Sequence, residues 1–157
     1  MAILGDACHP TLPYQAQGAA MAVEDGAVLG YLLGATVEHL QREEAGPFVE
    51  VERIRSVLGL YERLRKARTT VNVKGAIDNR IFYHLPEGPD QQERDRLLEK
   101  FDWIHGTGRW SWADSKYQQD LLGFNAVENA EASFQDWWNG LERKQTSTQA
   151  SSRTFKI

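Results

Sequence analysis

Apolar residues along this chain recur mostly at helical spacing rather than in the alternation of strands. From about Ala16 to Leu40, the positions Ala19, Ala22, Val23, Ala27 and Leu33 share a helical period, which predicts a first helix. Gly18, Gly26, Gly30 and Gly34 fall in the same segment. Each costs a helix about 1 kcal/mol relative to alanine, a cost that usually goes with close approach of a backbone or a ligand. Gly46-Pro47 interrupts the pattern, and a second helix is predicted from about Val51 into the low 80s. Ile54, Val57, Leu58, Tyr61 and Leu64 form its apolar stripe, with Arg53, Arg55, Glu62, Arg63, Arg65 and Lys66 covering the other faces.

The run Leu85-Pro86-Glu87-Gly88-Pro89-Asp90 is a stop and a turn, with Asp90 placed to cap the next helix. That helix is expected from about Gln91 to His105, burying Leu97, Leu98, Phe101 and Ile104, with Gly106-Thr107-Gly108 ending it. A less regular stretch with Trp110, Trp112, Tyr117, Leu121, Leu122 and Phe124 follows. A last helix is expected over 126–141, with Val127, Ala130, Phe134, Trp137 and Trp138 available for packing. Residues 142–157 turn to Gln, Ser, Thr, Lys and Arg, which predicts a disordered tail. At the other end, Ala2–Leu4 look like the last residues of a buried strand, and the prolines Pro10 and Pro13 make 7–14 a stiffened loop. The fold class expected of the chain itself is mainly α.

A length of 157 residues, with 41% hydrophobic and 25% charged, suits one ordered domain. A formal net charge of -4 argues against nucleic acid or an anionic membrane as the partner. No uninterrupted apolar run approaches the roughly 20 residues of a membrane span, and the first residues lack the pattern of a signal peptide. The single cysteine, Cys8, allows no internal disulfide and no metal-binding pair, and His39, His84 and His105 lack zinc spacing. A cytoplasmic location, no metal, no nucleic acid and no membrane are the expectations.

One segment carries chemistry: Gly5-Asp6-Ala7-Cys8-His9-Pro10-Thr11-Leu12-Pro13-Tyr14-Gln15-Ala16-Gln17-Gly18-Ala19-Ala20. An aspartate just past a strand end can accept hydrogen bonds from polyol hydroxyls. The first N–H groups of the following helix lack intrahelical partners and carry the positive end of its dipole, so they suit a partly negative oxygen. Gly18 and the alanines let a flat ligand come down onto that helix end. This order of residues resembles the Gly-Asp motif of the flavoprotein aromatic hydroxylases, the salicylate-hydroxylase-like FAD-dependent monooxygenases. Glu24-Asp25 and the stretch Leu60-Tyr61-Glu62-Arg63-Leu64-Arg65-Lys66-Ala67-Arg68-Thr69 are similar to further family features.

The resemblance implies that Asp6 binds the ribityl chain of FAD and that Pro13 flanks the isoalloxazine ring. It also implies that the backbone amides of Gly18, Ala19 and Ala20 face the pyrimidine edge. Ala16 stands where the family often has Gly, and Ala20 where Asn is common; both are small, so close approach survives. NAD(P)H as co-substrate, a small aromatic substrate and oxygen are implied in the same way, with the flavin carrying the chemistry and no catalytic side chain assigned here. The family opens on a strand–GxGxxG–helix unit that cradles the ADP phosphates. No GxGxxG occurs in this sequence. The expectation is therefore a C-terminal piece, 1–141, of an α/β Rossmann-type FAD-binding fold, with the N-terminal nucleotide-binding unit absent. Its flavin-contacting strand end, loop and helix lie at 1–41, its helical remainder at 51–141, and the missing N-terminal half of the same enzyme is its natural partner.

Two alternatives fit the same residues: another flavoprotein with this motif (an epoxidase, halogenase or reductase), or a helical interaction module that no longer binds flavin. Outside the motif, bland roles are expected. His9 reads as a loop residue bonded to backbone, Cys8 as a small buried side chain and Asp25 as a helix acid paired with a neighbour. The arginines between Arg53 and Arg80 read as a solvated face, and the tryptophans as packing residues.

Overall fold

The computed structural model describes residues 1–108 and 113–154. Short 3-10 helices at Gly5–Ala7 and Pro13–Gln15 precede five α-helices: α1 Gly18–Arg42, α2 Pro47–Tyr83, α3 Pro89–Glu99, α4 Ser115–Leu122 and α5 Ala126–Thr154. Among the described residues there is no strand. Leu4 does hold extended backbone, with φ −130° and ψ 161°, but the chain turns at once into the first 3-10 helix. The expected strand end is thus an extended segment without a ladder, because a strand exists only through its paired N–H and C=O groups.

Helix boundaries follow local backbone chemistry. Ala16 sits in the left-handed region at φ 52°, ψ 30°, which a helix cannot pass through, so α1 starts after it. Pro47 opens α2, where its fixed φ and missing N–H cost nothing. Gly88, not Asp90, stands at the cap of α3, with Pro89 in the first helical turn. That helix stops at Glu99 and contains no buried residue. Leu97 is 41% and Ile104 74% exposed, while Leu98 and Phe101 are half-buried, so none of the four residues predicted to be buried there is. The Asp102 carboxylate accepts the N–H groups of Ile104 (2.9 Å) and His105 (3.1 Å), a local bond that competes with the helix and ends it early. At the far end, α5 continues past Leu141 to Thr154 where a disordered tail was expected. Extending an existing helix costs little once its first turns are fixed, and Glu142, Arg143, Lys144 and Gln145 are good helix formers.

Two compact units make up the chain, and α1 and α2 each contribute one part to both. The first comprises Met1–Gly26 and Arg65–Asn125. Its buried apolar residues include Met21, Ala76, Phe82 and Leu121. The second comprises Ala27–Leu64 with the chain from Ala126 on. Phe134 is its centre, fully buried, with the Tyr31 ring edge-on at 6.3 Å, His39 at 5.4 Å, Trp137 at 5.5 Å and Trp138 at 5.8 Å between centroids. Such edge and offset arrangements suit the ring quadrupoles. Trp137 and Trp138 therefore pack as expected, Trp103 is largely exposed, and Trp110 and Trp112 lie outside the described residues.

Arg53 corrects the expectation of a solvated arginine face. It is buried, with its guanidinium 5.3 Å from the centre of the Trp138 ring, where cation and π face attract. α1 corrects another expectation: it is long and apolar enough, by length and composition, to cross a membrane. Within it the buried Asp25 is ion-paired with Arg65 inside the first unit, which satisfies its charge.

Candidate flavin site and its ion-pair support

The first unit gathers the Gly-Asp segment around one carboxylate, that of Asp25, which has no solvent exposure. One of its oxygens accepts from Gly5 N–H (2.9 Å) and lies 2.5 Å from His9 Nε2. The other accepts from Arg65 Nε (2.6 Å). Arg65 also donates to Glu24 (2.8 Å) and to the Met21 carbonyl (3.3 Å). Glu24 in turn accepts from Arg68, whose guanidinium reaches the carbonyls of Asp120 (3.2 Å) and Leu121 (2.6 Å). Burial alone would raise the Asp25 carboxyl. The bonds from Gly5, His9 and Arg65 outweigh it and hold the group below its ordinary value.

This network explains the glycine of the Gly-Asp pair. Gly5 has φ +57°, a region that L side chains enter at a cost, and an added Cβ would come within 3.1 Å of the Ala22 Cβ. A side chain there would strain the backbone and press on Ala22 while Gly5 N–H holds the Asp25 oxygen. His9 is a structural residue as expected, but its partner is the Asp25 carboxylate rather than backbone. Asp25 is paired, though with groups distant in sequence rather than with a helix neighbour. Cys8 is exposed rather than buried, and its Sγ approaches the Gly5 carbonyl at 3.3 Å. Partial desolvation of the sulfur and then the Asp25 charge raise its thiol pKa, which disfavours the nucleophilic thiolate.

Cys8, His9 and Asp25 offer ligand atoms within 4.8 Å of one another. Their electrostatics oppose a cation, because Arg65 already neutralises the carboxylate and both of its oxygens are engaged.

Held this way, the loop delivers the five residues singled out from the sequence to one end of α1. Asp6 is exposed, and its Oδ1 lies 3.9 Å from where a Cβ on Gly18 would stand. A Cβ there would also press on Thr11 Cγ2 at 3.2 Å. Pro13, Ala19 and Ala20 are exposed and Gly18 half-buried. The α1 backbone ladder begins with Met21 N–H to the Gln17 carbonyl at 2.9 Å, leaving the N–H groups of Gly18, Ala19 and Ala20 ahead of it. The Asp6 carboxylate thus lies close to the bare Gly18 at the leading amides of α1, and Pro13 is exposed in the short helix before it.

No family model matches the chain. Curated relatives do. A protein from Beauveria bassiana described as the FAD-dependent monooxygenase OpS4 is 38% identical over 82% of this chain and 27% of its own length. The 3-amino-4-hydroxybenzoate 2-monooxygenase PtmB3 of Streptomyces platensis is 37% identical over 68% of the chain and 25% of its own length. The 3-hydroxybenzoate 6-hydroxylase of Polaromonas naphthalenivorans is 31% identical over 66% and 24% respectively. This chain belongs to the FAD-dependent monooxygenases.

It spans about a quarter of the length of these relatives. Within a monooxygenase segment of this kind, the residues that sequence reasoning missed are the supports rather than the motif. Arg65 read as solvated, yet it is 4% exposed. Its signal was present, since it stands four residues after Tyr61 and eight after Val57, in register with the buried stripe of α2. Gln15 gave no signal. It is 2% exposed, accepts from Tyr117 Oη (3.0 Å) and donates to the same oxygen (2.9 Å).

Proposed function

We propose that this chain is the flavin-contacting segment of a monooxygenase that hydroxylates a small aromatic substrate with FAD, NAD(P)H and O2. The net reaction balances as Ar–H + O2 + NAD(P)H + H+ giving Ar–OH + H2O + NAD(P)+. Bound flavin supplies the redox and oxygen chemistry; this chain's residues bind and orient. The observation that carries the proposal is the juxtaposition of the exposed Asp6 carboxylate with the bare Gly18 at the leading amides of α1. That surface fits the cofactor chemically. Asp6 would accept from ribityl hydroxyls, Pro13 would flank the ring, and the amides of Gly18, Ala19 and Ala20 would donate to its partly negative pyrimidine edge. The absence of a Cβ at Gly18 keeps the helix end open to a flat ligand. Relatives named for aminohydroxybenzoate and hydroxybenzoate support an aromatic acid as the substrate class.

The test uses the longest reading frame that contains this chain. Purified protein should be yellow and should consume NAD(P)H when an aromatic acid is added. Asp6→Ala should weaken FAD binding by about 1–3 kcal/mol, the cost of leaving a ligand hydroxyl without its acceptor. Unchanged FAD affinity by titration would remove Asp6 from the site, and a colourless, inactive long protein would sink the function.

A further inference from the structure

Asp25 anchors the front of the Gly-Asp loop; its back end is held by different residues, which the family resemblance does not include. Gln15 follows Pro13 by two positions and is enclosed, so its amide must find partners inside the protein. Both ends of that amide meet a single atom, the Tyr117 hydroxyl, at 2.9 and 3.0 Å. Tyr117 is brought there by α4, whose cap Asp114 accepts the Tyr117 N–H (2.8 Å) with one oxygen and the Gly108 N–H (3.2 Å) with the other. The pair lies across α2 at Gly75, where any Cβ would overlap both Gln15 Nε2 and Tyr117 Oη. Glycine in mid-helix is costly, and here the space it leaves is filled by this one hydrogen-bonded pair. A second tie comes from Asn79, which donates to the Tyr14 carbonyl at 3.0 Å. Between these ties the backbone is pinned through Tyr14, Gln15 and the left-handed Ala16.

We infer that Tyr117 and Gly75 are positioning residues for the flavin loop, clamping Gln15 so that Pro13 and the leading amides of α1 keep a single register. This rests on the proposed flavin site, and it adds residues from α2 and α4 to it. Neither residue touches the ligand surface itself; both act through Gln15.

Tyr117→Phe removes the hydroxyl and leaves the ring, and Gln15→Met removes the same bonds from the other side. In the 157-residue chain, hydrogen exchange at the Ala16 and Met21 amides should become about tenfold faster in either variant, as expected for losing a buried hydrogen bond. Amides around Phe134 should not change. In the longer protein, Tyr117→Phe should weaken FAD about tenfold and alter the bound flavin's absorption bands, with Asp6 intact. Exchange unchanged in both variants overturns the clamp. Faster exchange with wild-type FAD affinity and spectrum makes the bonds merely structural and overturns the positioning role. Should the unmutated long protein bind no FAD, the proposed function fails, and the positioning role falls with it.

Discussion

Asp25 is where single-residue chemistry weighs most. Its carboxylate is ionised inside the protein because Gly5, His9 and Arg65 surround it, and removing one member of such a pair leaves the other charge uncompensated. Asp25→Asn should therefore destabilise the first unit by about 3–5 kcal/mol at neutral pH, read from urea unfolding. The pH dependence has a definite sign. A carboxyl whose folded pKa is depressed contributes fully above its unfolded value, about 3.9, and that contribution is lost as pH falls toward the lower folded value. Wild-type stability should drop in that acid range, and Asp25→Asn should lose this component; an unchanged acid transition in the variant would place the titration elsewhere. The closeness of Asp6 to Gly18 could be read from the sequence because the segment is local. Arg65 was legible only as a position in register with the buried stripe of α2; its role was not, because its partner Asp25 is 40 positions away, and a cationic residue in a helix reads as solvated until a buried acid is known to face it.

At the level of elements, helical periodicity and the Pro/Gly stops located α1, α2 and α5, whereas α3 shows where the same signal misleads. Leu97, Leu98, Phe101 and Ile104 have helical spacing, yet Asp102 turns the backbone after Phe101, and Ile104 is left in solvent. Periodicity registers spacing and is blind to a side chain that competes for backbone donors. α5 behaves in the opposite way, since its aromatic spacing translates directly into the cluster around Phe134. Phe134→Ala should cost about 3–5 kcal/mol, the range for emptying a buried aromatic site. It should also flatten the near-ultraviolet dichroism of Tyr31, Trp137 and Trp138. A melting temperature and aromatic spectrum matching wild type would show that this cluster does not stabilise the second unit.

For the molecule as a whole, the proposed site would be only one end of a cofactor contact. The chain carries no glycine-rich phosphate loop, and residues 1–41 contain neither Lys nor Arg. The 157-residue chain alone should therefore not retain FAD through gel filtration, while remaining strongly helical by circular dichroism; stoichiometric flavin in the protein peak would contradict this. One face of α1 carries small residues along much of its length. Ala19, Ala20, Val23, Gly26, Ala27, Gly30 and Gly34 are all exposed. Most of these side chains have no rotamers to lose, so a surface that came to rest on them would immobilise almost nothing on the α1 side. Long flexible side chains typically surrender about 0.5–1.5 kcal/mol each on being fixed at an interface. The glycines that lower the helix propensity of α1, together with its alanines, thus make it a surface that can be covered at little entropic cost.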